Sequence, residues 1–221
     1  MNSLIKARWL FFDLDGTLAD SLPGLEASIV EALESGGRRL RVESVRPYIG
    51  PGIRTILKNL EGDLTEAQLD DMERCFRGSY DINGVRNTEM YEGVKQTLEV
   101  LKANGAELFV VTNKPKIATA NLMAQHGMTG LFTEVLSRNS RDPAYASKGE
   151  MLRELVERHG VDSEQAWMVG DTAEDYHAAM DAEMHFAFVE YGYGDVSGDV
   201  ECVRLSAFAQ LVDVCGHGGR T

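Results

Sequence analysis

Two aspartates close to the N-terminus have the type and spacing of catalytic carboxylates. Asp13 and Asp15 lie in the stretch DLDGTLADS at 13–21, where Gly16 permits a tight turn directly after them. At the end of a strand, two residues with this spacing leave the same side of the chain. One carboxylate could act as a nucleophile or metal ligand and the other as a general acid and base. The two acids repel each other unless a cation or a proton separates them.

Neutral hydrogen-bonding groups follow a second apolar run. Thr112 and Asn113, in the stretch VVTNK at 110–114, offer a hydroxyl and an amide that could hold anionic oxygens without adding charge. The alternative is that they end a strand and cap a helix that begins near Pro115.

A lysine and two further acids follow later apolar runs. Ser147 and Glu150 form an S-x-x-E capping box, which places Lys148 in the first turn of a helix, where a cation opposes the helix dipole. A lysine there is favourable if an anion binds at that helix N-terminus. Asp171 and Asp175, four residues apart across a turn into another helix, could supply oxygen ligands to a hard cation.

Each of these clusters also has a purely structural interpretation. Asp20 or Ser21 could cap a helix after the first turn. Lys148 could be an ordinary solvated lysine, and Asp175 could complete a capping box with Thr172. Together, however, acids for one metal, neutral donors and a lysine describe a site for a phosphoryl group, whose charge needs Mg²⁺, a lysine and hydrogen bonds. The combined pattern therefore predicts a phosphoryl-binding site.

Five apolar runs bounded by loop residues predict buried strands, and amphipathic stretches between most of them predict helices. The runs are WLFF at 9–12, LFVV at 108–111, EVL at 134–136, WMV at 167–169 and FAFV at 186–189. Alternating strands and helices predict a Rossmann-like, largely parallel sheet with helices on both faces, which is a three-layer α/β/α fold. Because the polar clusters follow strand ends, we expect them to meet at one edge of the sheet.

Residues 21–87 interrupt that alternation, since they contain amphipathic segments but no strand-like run. We therefore expect a small all-helical cap at 21–87, inserted into an α/β catalytic core formed by residues 1–20 and 88–221. Most of the net negative charge of the chain lies in this predicted core.

Two glycine-containing stretches are interpreted as a turn and a loop. IGPGIRT at 49–55 could place Arg54 or a helix N-terminus over the site, but an ordinary turn with Pro51 at a helix start is the preferred interpretation. YGYGD at 191–195 is interpreted as a flexible loop after a strand.

Composition limits the possible partners of the chain. Its 22 Lys and Arg residues against 35 Asp and Glu residues give a net charge of −13, which argues against duplex DNA and anionic membranes as partners. The three cysteines form no CxxC pair, so neither a disulfide framework nor a thiolate zinc site is indicated. The first apolar run is too short for a signal peptide or a membrane span, and we expect a cytoplasmic protein.

The motifs resemble those of a known family. DLDGTLADS, VVTNK, the later SKG lysine and GDTAED, in that order and at strand ends, resemble the haloacid dehalogenase superfamily, and in particular its phosphoglycolate phosphatase-like branch. The resemblance spans nearly the whole chain, including YEGVKQTLEVLKANGAELFVVTNK at 91–114. The position and helical character of the insertion also look like the small cap of that family.

The resemblance implies a role for each motif residue. Asp13 would attack phosphorus to give an aspartyl-phosphate, and Asp15 would protonate the departing oxygen and later activate water. Mg²⁺ would be held by Asp13, the backbone carbonyl of Asp15, and Asp171, with Asp175 supporting it from the outer shell. The residues implied to hold the phosphoryl oxygens are Thr112, Asn113 and Lys148.

We therefore expect a Mg²⁺-dependent phosphatase that acts on a small phosphorylated metabolite, either phosphoglycolate-like or a sugar or nucleotide monophosphate. A phosphomutase resembling β-phosphoglucomutase shares the motifs and is one alternative. A non-catalytic phosphometabolite-binding protein is another, although a pure binder has no need for a second carboxylate beside the first. We also expect the cap to close over the substrate and exclude water. The sequence indicates neither the substrate nor the oligomeric state.

Overall fold

The fold is built around a six-stranded parallel sheet. The computed structural model describes residues 7–196, 200 and 202–216, so parts of both ends of the expected core lie outside the described residues. The strands are β1 (Trp9–Phe12), β2 (Ala19–Asp20), β3 (Glu89–Met90), β4 (Glu107–Thr112), β5 (Glu134–Ser137), β6 (Ala166–Gly170), β7 (His185–Val189) and β8 (Val203–Leu205). The large sheet has the order β5-β4-β1-β6-β7-β8, with every neighbouring pair parallel.

Helices connect the strands and cover both faces of this sheet. They are α1 (Leu22–Ser35), α2 (Ile53–Glu61), α3 (Glu66–Ser79), α4 (Val94–Ala103), α5 (Lys116–Gln125), α6 (Lys148–His159), α7 (Ala173–Asp181) and α8 (Leu211–Val214). A π-helical turn, Tyr80–Gly84, continues directly from α3. The expected Rossmann-like α/β fold is therefore confirmed.

Alternate residues of the buried strands form two hydrophobic clusters, one on each face of the sheet. In β1, Leu10 and Phe12 pack in the cluster that includes residues of α4 and α5, whereas Phe11 packs in the cluster that includes residues of α6 and α7. Phe11 stacks on Phe109 of β4, its partner in the strand register, with ring centroids 4.7 Å apart. Burial of each such side chain contributes about 1.5–3 kcal/mol, which makes these strands the rigid base of the fold.

Each of the five apolar runs lies within a strand of the large sheet, namely β1, β4, β5, β6 or β7. The sequence pattern missed β8, a three-residue edge strand in which Arg204 is exposed, because so short a strand has no apolar run. It also missed the two-stranded antiparallel ribbon of β2 and β3.

The stretch 21–87 is helical, as expected, and contains α1, α2, α3 and the π-helical turn. A capping box starts α3, with the Thr65 side chain accepting from the Gln68 N–H and the Gln68 side chain accepting from the Thr65 N–H. The ribbon of β2 and β3 brackets this segment and joins both of its ends to the core. We refer to residues 21–87 as the helical segment; its division from the core as a separate domain stays a prediction.

Within the described residues, no helix combines the length and the apolar character needed to cross a bilayer. The cysteines Cys75, Cys202 and Cys215 are free thiols, in agreement with the expectation of no disulfide framework.

The close packing of α1 on the π-helical turn predicts that alanine has opposite effects on stability at two glycines. A Cβ on Gly24 would lie 2.1 Å from the carbonyl oxygen of Gly84, so Gly24→Ala forces α1 away from the π-helical turn and should destabilise the fold by about 1–3 kcal/mol. Gly78, in α3, has nothing within 4 Å of its would-be Cβ, and Gly78→Ala should stabilise the fold by about 0.5–1 kcal/mol. Urea unfolding of both variants measures the difference; equal stabilities would contradict it.

Candidate active site

Asp13 lies at the end of β1, where the strand gives way to a tight turn. Its backbone N–H donates to the carbonyl of Val169 at 3.0 Å, so the strand pairing holds Asp13 in place. Gly16 has a φ of +86°, and a Cβ there would lie 2.2 Å from the Asp171 carboxylate, so this turn requires glycine. The turn therefore brings the first acidic motif against the last one.

Lys148 is the first residue of α6 and is buried. The Ser147 hydroxyl accepts from the Glu150 N–H, which confirms Ser147 as the N-cap, but the Glu150 carboxylate accepts from the Ala146 N–H rather than completing the box. Lys148 Nζ lies 3.0 Å from Asp13 Oδ1, so the anion at this helix N-terminus includes a carboxylate of the chain itself. The alternative of a solvated lysine is wrong.

The second carboxylate beside Lys148 belongs to Asp175, whose Oδ1 lies 2.6 Å from Lys148 Nζ. Burial alone would lower the pKa of Lys148, but the charges of Asp13 and Asp175 outweigh it and raise that pKa above its usual value. Asp175 also forms the capping box with Thr172, accepting from the Thr172 N–H at 3.0 Å. The structural and the functional interpretations of Asp175 are therefore compatible.

Asp171 is fully buried after β6 and is held by three donors. The Thr17 hydroxyl donates to its Oδ1 at 3.2 Å, and the N–H groups of Tyr193 and Gly194 donate to its Oδ2 at 2.7 and 3.3 Å. Burial, with the charge of Asp175, raises the pKa of Asp171 to about 6, although these backbone donors oppose the shift. Sequence reasoning missed the role of the 191–195 loop, which supplies these N–H groups.

Asp13, Asp171 and Asp175 form a buried acidic cluster, with one carboxylate oxygen from each lying within 4.8 Å of the others. Burial raises the pKa of Asp13 well above its usual value, and the charges of Asp175 and Asp171 add to this effect while Lys148 opposes it. Three hard oxygen donors that repel one another are compatible with a divalent cation between them. The side chain of Asp15 lies outside this cluster.

Asp15 instead contacts Lys114, a lysine of the VVTNK stretch to which sequence reasoning assigned no role. Lys114 Nζ lies 2.8 Å from Asp15 Oδ1, and the Ser21 hydroxyl donates to the same oxygen. Lys114 also donates to the Tyr80 hydroxyl at the end of the helical segment. Burial alone would lower the pKa of Lys114, but Asp15 and Tyr80 outweigh it and raise that pKa. Its position directly after Asn113, at a strand end, was the available signal.

Thr112 and Asn113 reach the same region from the end of β4. Thr112 is buried, and its hydroxyl accepts from the Lys114 N–H at 3.1 Å. The Asn113 amide donates to the Gly50 carbonyl at 3.1 Å and to the Glu174 carboxylate at 2.8 Å. Asn113 thus joins the helical segment to the core, and the phosphoryl-binding roles of both residues stay predictions.

A cavity of about 390 Å³ lies between these residues and the helical segment. Its wall includes Asp13, Asp15 and Lys148 on one side and the stretch 49–56 on the other. Arg54 lines the cavity, but its guanidinium is paired with three carboxylates of α3, those of Glu66, Asp70 and Glu73. Helix α2 begins at Ile53 with Gly52 as its N-cap, so Pro51 precedes the helix rather than starting it.

Comparison with known proteins identifies the family. Residues 10–189 match the family model for haloacid dehalogenase-like hydrolases. The chain is 33% identical to a phosphoglycolate phosphatase from Photobacterium profundum, covering 94% of this chain and 95% of that protein. It is 34% identical to phosphoglycolate phosphatase 1 from Pseudomonas aeruginosa, covering 84% of this chain and 70% of that protein.

Solved structures agree with the fold. A predicted phosphoglycolate phosphatase from Haemophilus somnus superposes with a TM-score of 0.82 at 30% identity, covering 97% of this chain and 99% of that one. A predicted phosphatase from Clostridium acetobutylicum, at 22% identity and a TM-score of 0.82, covers 96% of this chain and 97% of that one and shows the same fold. The relatives indicate a phosphoric monoester hydrolase, and the chain belongs to the haloacid dehalogenase-like hydrolase family.

Proposed function

We propose that this protein is a Mg²⁺-dependent phosphatase that hydrolyses a small phosphomonoester through an aspartyl-phosphate on Asp13. The observation that carries the proposal is the position of Asp13, which lies in the acidic cluster, 3.0 Å from Lys148 Nζ, and on the cavity wall. A nucleophile for phosphorus needs cationic neighbours to neutralise the charge of the group that it attacks, and it needs access to that group.

The two aspartates of the first motif have different surroundings, which supports different roles. Asp13 belongs to the acidic cluster, whereas Asp15 lies outside it and is held through Oδ1 by Lys114 and Ser21. Asp15 lines the cavity, and among the described residues no hydrogen bond is made to its Oδ2. A carboxylate oxygen of this kind could exchange a proton with the leaving group and later with water.

In the proposed reaction, an Asp13 oxygen forms a bond to phosphorus while the bond from phosphorus to the leaving oxygen breaks. Asp15 gives its proton to that oxygen, and the alcohol departs. Asp15 then takes a proton from water, whose oxygen attacks phosphorus and releases Asp13 together with inorganic phosphate. The phosphoryl oxygens contact Lys148, Thr112 and Asn113.

Mg²⁺ is the proposed cation, held by Asp13, Asp171 and the backbone carbonyl of Asp15, with Asp175 in support. When bound, it would neutralise the charge on the phosphoryl oxygens. The donor set supports this assignment, because hard carboxylate oxygens are the ligands that Mg²⁺ prefers in proteins.

The proposed substrates are small phosphomonoesters, and phosphoglycolate leads the candidates because the two curated relatives described above are phosphoglycolate phosphatases. Sugar and nucleotide monophosphates are the other candidates, and nucleic acid and membranes are not expected partners. A cytoplasmic location belongs to the same proposal and is compatible with the three free cysteines.

The helical segment is the proposed cap. It contacts the site through Tyr80 on Lys114 and through the Gly50 carbonyl on Asn113. Arg46 of the same segment donates to the carbonyl of Gly192, in the loop that holds Asp171. Closure of the segment would exclude water from the aspartyl-phosphate until the alcohol has left.

Removal of the nucleophile tests the reaction. Asp13→Asn should lower phosphate release by roughly a thousand-fold or more, because an amide does not attack phosphorus and the other residues act only with the nucleophile present. Release is measured across phosphoglycolate, sugar phosphates, nucleoside monophosphates and an aryl phosphate, with Mg²⁺ and with chelator. Asp63→Asn, at an exposed position, is the control. Unchanged release in Asp13→Asn would contradict the proposal, and isomerisation of a sugar phosphate without net release would favour the phosphomutase.

Mg²⁺ binding should raise the free energy of unfolding of the protein. Because burial and the neighbouring acids raise the pKa values of Asp13 and Asp171, ionising these carboxyls in the folded protein is costly, and a bound cation relieves that cost. At a hundred-fold excess over its dissociation constant, Mg²⁺ should stabilise the protein by about 2.7 kcal/mol. Thermal unfolding with Mg²⁺ and with chelator measures this. In Asp171→Asn, most of the stabilisation by Mg²⁺ should be lost. If Mg²⁺ stabilised this variant as much as the wild-type protein, that result would argue against the assigned ligands.

The contact between the helical segment and Lys114 should matter for turnover. Tyr80→Phe removes only the hydroxyl that accepts from Lys114, so kcat/KM should fall by about 10- to 150-fold, in line with the loss of a hydrogen bond to a charged group. Tyr48→Phe is the control, because the described structure shows no hydrogen bond from the Tyr48 hydroxyl. Equal activities of the two variants would show that this contact does not support catalysis.

A further inference from the structure

Five cationic side chains line the cavity, and four of them are neutralised by carboxylates of the chain. The four are Arg54 with Glu66, Asp70 and Glu73; Arg77 with Glu73; Lys114 with Asp15; and Lys148 with Asp13 and Asp175. The fifth is Arg138, which has no carboxylate within ion-pair distance in the described part of the chain. Its charge is therefore available to a ligand.

The backbone of Arg138 is fixed on both sides. Its N–H donates to the carbonyl of Thr112 at 3.0 Å, and its carbonyl accepts from the Tyr145 N–H at 2.9 Å. Arg138 directly follows Ser137, the register partner of Thr112, so the loop after β5 holds Arg138 beside the end of β4. A side chain on an anchored backbone loses less conformational entropy when it binds a ligand.

Within the described residues, the guanidinium of Arg138 makes two hydrogen bonds, both to neutral oxygens. It donates to Asn113 Oδ1 at 3.4 Å, near the limit of a hydrogen bond, and to the carbonyl of Ala146 at 3.2 Å. A guanidinium has five N–H donors in a planar fork that matches a carboxylate or a phosphate group. Arg138 thus keeps donors and an uncompensated charge in a half-buried position on the cavity wall.

The transferred phosphoryl group is not the best ligand for this arginine. That group must contact Asp13, whose cationic partner is Lys148, and Arg138 hydrogen-bonds neither of those residues. Arg138 reaches the proposed phosphoryl site only through Asn113 Oδ1, on the side of that amide away from the N–H donors. A volume of about 390 Å³ lies within the range of roughly 300–1,000 Å³ that is usual for sites of small organic ligands, so the cavity also accommodates a leaving group. An anionic substituent on that leaving group matches the charge of Arg138.

We propose that Arg138 is a specificity-determining residue that binds a second anionic group, a carboxylate or a second phosphate, on the leaving-group part of the substrate. This inference rests on the proposed phosphatase activity and defines its substrate class: phosphomonoesters that carry a further negative charge. The interaction contributes to binding in the ground state as well as the transition state, so its loss raises KM more than it lowers kcat.

The test compares three probes that differ in one substituent. Ethylene glycol monophosphate is the neutral reference; phosphoglycolate replaces its free alcohol carbon with a carboxylate, and ethylene glycol bisphosphate replaces its hydroxyl with a second phosphate. The wild-type protein should prefer at least one anionic probe over the reference. In Arg138→Gln the kcat/KM for that probe should fall by about 10- to 100-fold, mainly through KM, while the reference changes less than about three-fold. The preferred probe identifies the anionic group as a carboxylate or a phosphate.

Two controls complete the design. Arg138→Lys keeps the charge without the planar fork and should recover part of the preference. Arg74→Gln removes the same charge from an exposed position outside the cavity and should leave all three probes unchanged. An equal loss for all three probes in Arg138→Gln, or no preference in the wild-type protein, overturns the inference while phosphatase activity stands. If the protein releases phosphate from none of these probes and not from an aryl phosphate either, both the proposed function and this inference are overturned.

Discussion

The buried ammonium of Lys148 is the interaction on which the site depends. It lies between Asp13 and Asp175, two carboxylates that would otherwise face each other without compensation. Asp171 adds a third acid to the same cluster, so one lysine leaves an excess of negative charge in a buried volume. Removing one partner of such a buried set costs about 3–5 kcal/mol, because it leaves another charge unpaired. The same excess makes the cluster suited to a divalent cation.

The order of the sheet determines which residues can join this cluster. Strand β1 lies between β4 and β6, and Phe12 is level with Val110 and Val169. Asp13 therefore emerges between the ends of the two neighbouring strands, with Thr112 on one side and Asp171 on the other. Parallel strands place their carboxyl ends at one edge, so motifs that are far apart in the chain converge there.

Much of this arrangement was predictable, because it depends on strand ends and local caps. The apolar runs located five strands, and the motif residues Asp13, Thr112, Lys148 and Asp171 follow four of them directly or after a loop. Other features depend on tertiary contacts that no local pattern encodes. Examples are the pairing of Arg54 with acids of α3, and the N–H group of Tyr193 on the Asp171 carboxylate. Rules based on local sequence also treated helix capping and catalysis as alternative roles of one residue.

The helical segment and the site are energetically linked through the residues that they share. Asn113 donates to Gly50, and Lys114 joins Tyr80 to Asp15, so moving the segment away breaks hydrogen bonds of two residues directly after β4. By thermodynamic reciprocity, a ligand that favours this arrangement of Asn113 and Lys114 also favours the contact of the helical segment with these two residues. Arg138 contacts the opposite end of the Asn113 amide. If an anionic group binds Arg138 as proposed, it would act on a residue that also hydrogen-bonds the helical segment.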